Sequence, residues 1–255
     1  MQIRASLVLQ ASVLCLLGVM NSASMALDFA VQNRVTRGSQ VRNETRTIIT
    51  DEAFYDVMFE GNNPSEVSVY VPKRHQYHLL LFQTKRNATI DDTDVRTFKI
   101  RVVEHAKKHK DPLVRFAADP EFAVTLEEND LRLKSKLWTY NVSIDKQRPD
   151  YVDAYRDFAD AFARLNMFWS FPPQARIELN KEIHRAAGLP TKVEVRLKGK
   201  KGRPDIVQVS HHEYSWNLTD SDRKLIDAAK KAIVEFKAVK ISEVQQQKIP
   251  HAKAD

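Results

Sequence analysis

"EVSVYVPKRHQYHLLLF", Glu66 to Phe82, is the stretch that decides the fold class of this chain. Alternation in its first half sets Val67, Val69 and Val71 on one side of an extended segment, the period-two pattern of a strand with one dry face. Pro72 and Lys73 begin a turn, because proline presets its own φ and has no N–H to give to a ladder. "QYHLLLFQ" then continues beyond the turn as a second strand. The run Leu79 to Phe82 is apolar on both faces, which places that strand centrally in a sheet.

Working outward, the same period recurs upstream. "LDFAVQNRV" puts Leu27, Phe29, Val31 and Val35 on one face and Asp28, Gln32 and Arg34 on the other. After a turn at Gly38, "RTIITDEAFYDVMF" reads as two strands joined near Asp51 and Glu52. Downstream, Asp91 to Asp94 supplies N-cap residues for a helix from about Thr93 to Lys110, closed by Asp111-Pro112. "PLVRFAADPEF" makes a short turn or helix. Glu127 to Asp130 turns between "FAVTL" and "LRLKSKLWTYNVSI", the second read as one strand with Trp138, Tyr140 and Val142 on one face and Leu131, Leu133 and Leu137 on the other.

The second half holds the clearest helices. "DYVDAYRDFADAFARLNMF" sets Val152, Tyr155, Phe158 or Ala159, Phe162 and Leu165 on one stripe. Trp169 to Pro173 interrupts it, and "QARIELNKEIHRAAGLP" forms another helix, with Gly188 fitting the left-handed position after its last turn. "TKVEVRL" and "DIVQVSHHEYSW" pair across "KGKKGRP". A last helix starts at Thr219, capped by its hydroxyl with Asp222 at the third helical position, and buries Leu225, Ala229, Ala232, Ile233 and Phe236. The expected architecture is α+β: a curved antiparallel sheet, an open half-barrel in its more curled form, with three to four helices packed against it. A single domain spans 27–244 and a flexible C-terminal tail spans 245–255.

The chain has 255 residues and a formal net charge of +7. Residues 1–26 read as a signal peptide: Arg4, a largely apolar stretch from Ala5 to Met20, and small residues from Ser22 to Ala26, with cleavage expected after Ala26. The apolar stretch is shorter than the ~20 residues a membrane span needs, and no other run approaches that length, so the mature chain has no transmembrane segment. Export to the periplasm or the extracellular space follows. The only cysteine, Cys15, lies inside the signal, so the mature chain is cysteine-free and thiol catalysis, iron–sulfur clusters and cysteine zinc sites are excluded. The positive charge is dispersed among many carboxylates, which argues for weak contact with an anionic envelope surface and against nucleic acid.

Chemistry is bounded mostly by absence. The six glycines, Gly18, Gly38, Gly61, Gly188, Gly199 and Gly202, fit no phosphate-cradling or nucleophile-elbow pattern, so no cofactor is implied. His105 and His109 stand four apart on a helix and form a weak metal candidate, opposed by Lys107 and Lys108 between them. His75 and His78 are weaker still, since three residues along a strand separates them onto opposite faces. Asp51, Glu52, Asp56 and Asp119 sit at turns or strand ends where an acid can work, but carboxylates there commonly cap or turn, and no residue is assigned as catalytic. Lys198, Lys200, Lys201 and Arg203 form a basic loop suited to anion contact or to keeping a hairpin tip soluble. Leu80, Phe82, Trp138, Tyr140, Tyr214 and Trp216 are the candidates for lining an apolar cavity. In "SHHEYSWNLT", alternation separates His211 and Glu213 from His212, Tyr214 and Trp216. Four sequons start at Asn43, Asn87, Asn141 and Asn217.

The segments "LDFAVQNRV", "AFYDVMF", "VRFAADPEF", "YRDFADAFARLN", "PPQARIELNKEI" and "WNLTDSDRKLI" resemble a group of exported proteins of planctomycete-type bacteria, which implies a bacterial cell envelope and transfers no catalytic residue. The hairpin "EVSVYVPKRHQYHLLLFQTKRNATI" is similar to hairpins of periplasmic lipoprotein carriers of the half-barrel type. That resemblance implies a helix-covered half-barrel holding acyl chains; the helix pair of the second half departs from it. The expected function is therefore an exported, non-enzymatic binding protein of the cell envelope holding an apolar or lipid-like ligand. A hydrolase or metal-dependent enzyme with an unrecognised site, and a structural envelope protein, are the alternatives.

Overall fold

The computed structural model describes residues 27–200 and 202–248. The expected signal peptide, and Lys201 of the basic loop, lie outside the described residues. The chain runs β1 (Phe29–Arg37), β2 (Gln40–Ile49), β3 (Phe54–Glu60), β4 (Asn63–Val71), β5 (Gln76–Leu81), β6 (Arg86–Asp91), α1 (Asp92–Lys107) and α2 (Pro112–Ala118). It continues β7 (Ala123–Glu127), β8 (Asp130–Lys134), β9 (Trp138–Asp145), α3 (Val152–Asn166), α4 (Gln174–Arg185), β10 (Leu189–Leu197), β11 (Ile206–Ser215), α5 (Asp220–Glu235), β12 (Lys237–Val239) and α6 (Ile241–Lys248). All strands join one curved, open 12-stranded sheet in the order β12-β6-β5-β4-β3-β2-β1-β11-β10-β9-β8-β7. Every pairing is antiparallel except β12 with β6.

The β4–β5 hairpin forms as its alternation dictates. Val67 and Val69 pack with Ala30, Ile48, Tyr55, Val57 and Leu80 beneath Ala229 and Ala232 of α5. Their neighbours Tyr70 and Tyr77 face the other way, into a core with Phe29, Ile49 and the α3 stripe of Tyr155, Ala159, Phe162 and Leu165. We term the α3 side of the sheet its inner face and the α5 side its outer face. β5 lies between β4 and β6, as its two-sided apolar run requires. His75, with φ of 52°, closes the turn after Pro72–Arg74.

α5 is fixed at its first turn by a buried ion pair. Asp222 is 1% exposed and its carboxylate accepts from Arg46 Nε at 2.8 Å and Nη2 at 2.9 Å. The same carboxylate accepts from Thr219 N at 2.9 Å, while Thr219 Oγ1 accepts from Asp222 N at 3.1 Å, completing the capping box. Burial works against the charged form, but the Arg46 guanidinium and the Thr219 donors outweigh it and hold the carboxyl below its ordinary value.

Several expectations need correction. Helices number six among the described residues rather than three or four. α6 and the short β12 come from a C-terminal segment with too few apolar residues to announce them. Val244 is buried against Leu79 and Ala88, and Gln245 Nε2 donates to Phe168 O, so α6 runs through the expected start of the tail to Lys248. "LRLKSKLWTYNVSI" is two strands. Ser135 Oγ accepts from Leu137 N and Trp138 N and donates to Trp138 O, turning the chain back without glycine or proline. Leu131 therefore pairs with Val142 and Leu133 with Tyr140 on one face, and that face packs on α4. The outer face of β9 is polar, carrying Thr139, Asn141 and Ser143, and needs no apolar cover.

The left-handed residue after α4 is Ala187, with φ of 51°, and not Gly188. Gly188 is required for a different reason: a Cβ there would collide with Ile144 Cγ2 and come within 3.0 Å of Asp145 O, where β10 starts against β9. Of the sequon asparagines, Asn87 is buried and donates through Nδ2 to Ile233 O of α5 at 3.0 Å, while Asn217 is exposed.

Two stability results are expected. Gly188→Ala should cost about 1–3 kcal/mol through overpacking, whereas Ala187→Gly should be neutral or gain up to ~1 kcal/mol, measured by urea unfolding. Equal effects at both positions would overturn this assignment. Thr219→Ala should cost about 1 kcal/mol, but Asp222→Ala about 3–5 kcal/mol because it also strands the Arg46 charge; equal losses would mean that the ion pair adds nothing.

Candidate ligand cavity

A cavity of about 510 Å³ lies between the inner face and the α3–α4 pair. Strand parity selects its floor. β1 contributes Val31, Asn33 and Val35, and β2 contributes Asn43, Thr45 and Thr47. Asp56 of β3, Trp138 and Tyr140 of β9, Val193, Val195 and Leu197 of β10, and Gln208, Ser210 and His212 of β11 complete the floor. The roof is the helical stripe of Tyr155, Phe158, Ala159 and Phe162, then Phe171 to Pro173 in the connection, then Ala175 and Arg176 at the start of α4. Pro173 is the N-cap of α4, so Arg176 falls in that helix's first turn.

The wall over β9 and β10 is aromatic and aliphatic. Trp138 lies 5.6 Å from Phe171 edge-on and 5.8 Å from Tyr140, ring centre to ring centre. The β2–β3 end is polar. Asp56 accepts from Thr47 Oγ1 at 2.8 Å, with the Thr45 hydroxyl turned to it as well, and its carboxyl is pushed up to about 6. Burial is the cause; the two hydroxyls oppose it without cancelling it. What exposure Asp56 retains is to the cavity it lines.

Arg176 is the charged group of the roof. Among the described residues no carboxylate pairs with it, and its guanidinium instead faces the Tyr155 hydroxyl and acts on Tyr140 and His212. Tyr140 is raised to about 12 by burial, with Arg176 opposing. His212 is lowered to about 4 by burial and then by the Arg176 charge, so it is neutral near pH 7. Both His212 Nδ1, at 2.9 Å, and Tyr214 Oη, at 2.8 Å, reach Pro190 O. A carbonyl only accepts, so Nδ1 carries the proton and Nε2 is left as an acceptor.

Of the six residues expected to line a cavity, Trp138 and Tyr140 do so. Leu80 and Phe82 belong to the α5 side, Leu80 buried in the outer core and Phe82 edge-on to Phe236 at 5.2 Å. The two-sided apolar run that made β5 central also committed it to both faces. Tyr214 and Trp216 stack on one another at 5.3 Å against Phe29, in the inner core beside the cavity, and Arg148 lies 5.0 Å over the Trp216 ring. In the basic loop, Lys200 pairs with Asp111 at 3.1 Å and Lys198 lies 3.6 Å from Asp205, while Arg203 has its backbone N–H on Lys200 O. The His105 and His109 rings are 6.5 Å apart, and His109 Nδ1 accepts from Asp111 N. Among the described residues no group of three His, Cys, Asp or Glu gathers as it would to hold a metal ion.

Arg176 matches no motif in the sequence, yet it carries a signal. It falls on the same helical stripe as the buried Leu179, Asn180 and Ile183, and a cation on a buried stripe must face either a partner or a cavity.

The raised Asp56 carboxyl implies a pH-dependent cost. A carboxyl held above its unfolded value favours the folded state below about pH 4 and loses that contribution as pH rises through about 6. Asp56→Asn should thus be more stable than the parent at pH 8 by on the order of 1–3 kcal/mol and equal to it near pH 4, in urea titrations at both pH values. A constant difference across pH would overturn the assignment.

No family model matches the chain. No curated protein matches it either. Among solved structures, PNGF-II aligns with TM-score 0.36 and 9% identity, over 84% of this chain and 30% of that one. This chain thus spans less than a third of PNGF-II. A LolA-superfamily protein from Nitrosomonas europaea aligns with TM-score 0.30 and 7% identity, over 77% of this chain and 88% of that one.

Proposed function

We propose that the protein is an exported binding protein of the cell envelope that holds an apolar or lipid-like molecule between the inner sheet face and α3–α4. One observation carries this reading: the cavity of about 510 Å³ is walled by Trp138, Phe158, Phe162, Val193, Val195 and Leu197. Its size falls in the ~300–1,000 Å³ range of small-molecule sites, and this apolar wall gives a ligand's body a surface to lie on beside the polar β2–β3 end. The signal-like residues 1–26 support export, and among the described residues no helix is long and apolar enough to cross a membrane.

A hydrolase reading draws on Asp56, whose carboxyl near 6 suits proton transfer close to neutral pH. Geometry disfavours pairing it with His212. The two stand on β3 and β11, three strand steps apart, or roughly 14 Å at the usual strand spacing. One bond cannot lie within reach of both.

Native mass spectrometry of the full purified protein, before and after organic extraction, tests the binding reading. A lipid-sized adduct lost on extraction is expected, together with displacement of a fluorescent fatty acid from the stripped protein. Val195→Trp, which fills the cavity, should weaken that probe by on the order of tenfold with the fold intact by circular dichroism. Neither an adduct nor probe binding would sink the proposal.

A further inference from the structure

Hydrogen-bond donors are gathered at one end of the cavity without a negative charge to meet them. Arg176 brings a permanent cation from α4, and among the described residues it has no carboxylate partner. Tyr140, from β9, lies within the field of that guanidinium and next to Trp138. Trp138 is 7% exposed, and its buried indole N–H is turned toward the Tyr140 hydroxyl, with no charged acceptor beside it. Tyr155, from α3, presents its hydroxyl to the same guanidinium.

Neutral hydroxyls meet these donors only in part, and a cation held beside them without a counter-charge is costly unless an anion completes the set. Asp56 does not serve. It stands at the β3 end, three strands from β11, and is already engaged by the Thr47 hydroxyl. The basic hairpin loop is not a competing site, because Lys198 and Lys200 are matched to Asp205 and Asp111. A second group of charges, Asp28, Asp51, Glu52 and Asp227 near Arg223 and Lys230, is partly neutralised internally, with Lys230 Nζ 3.1 Å from Glu52.

We infer that the cavity selects an amphiphile with a single anionic head, carboxylate or phosphate, seated among Arg176, Tyr140, Tyr155 and Trp138 with its apolar body along Val193, Val195 and Phe162. This rests on the binding reading above and adds a head-group preference to it. The guanidinium presents paired N–H donors to two oxygens of the head, and the phenol hydroxyls supply further donors beside it. An alcohol of the same chain length fills the same apolar wall but offers no charge.

The test is competition against a fluorescent fatty-acid probe on the full, delipidated chain, using dodecanoate, dodecyl phosphate and dodecanol. The anions should displace the probe at least ~10-fold more effectively than the alcohol. Comparing the two anions identifies which head is preferred. Arg176→Gln should weaken the preferred anion about 10- to 30-fold and leave dodecanol, followed by its own adduct in native mass spectrometry, within about twofold. Arg176→Lys should recover part of the loss. Equal binding of acid and alcohol by the parent protein, or equal loss of both in Arg176→Gln, overturns the head-group inference and leaves apolar binding standing. Failure of every amphiphile to bind overturns both.

Discussion

Over β1 to β5 the sheet is covered on both faces, and this one condition governs where every side chain there must go. A strand repeats every two residues, so a single-residue slip would send the whole set to the wrong side. Arg46 shows how sharply this acts. Its neighbours Thr45 and Thr47 point inward to the polar end of the cavity, whereas Arg46 points outward to Asp222 of α5. The buried pair thus locks the register of β2 from the outer side, and with it the positions of the two hydroxyls and of Asp56 on the inner side. Stability and site geometry are set by the same parity.

Beyond β11 the condition changes. β8 to β10 are covered by α4 on the inner face only, and their outer face is polar, with Arg132, Asn141 and Glu194 side by side across the strands. This half carries the aromatic wall of the cavity. The cavity therefore joins a doubly covered half, where a polar group must be matched, to a singly covered half, where bulky aromatics have room to line an open space.

Much of this was legible from residue order. The alternation of "EVSVYV" and "SHHEYSW" gave the right faces, because both segments are long and regular, and Thr219 with Asp222 announced the start of α5. The turn at Ser135 was not legible, since a serine hydroxyl taking three backbone bonds resembles any serine within a strand. That turn reversed the face assigned to Leu131 and Leu133. The membership of the cavity was hidden for a related reason. Leu80 and Trp138 are equally apolar in sequence, and only the placement of α3–α4 on one face and α5 on the other separates a core leucine from a cavity tryptophan. Arg176 required the same knowledge, because a charged residue on a helix is ordinarily solvated.

Asn87 gives the fold an order of events. Its side-chain nitrogen, the atom to which a sugar would be attached, already donates to the Ile233 carbonyl near the end of α5. With α5 docked, Asn87 is 6% exposed and has no room for a sugar, whereas the exposed Asn217 stays open to modification in the finished molecule. In a host whose export route glycosylates, the occupancy of Asn87 relative to Asn217 would act as a clock, recording how long the chain waited before its last long helix closed over the sheet.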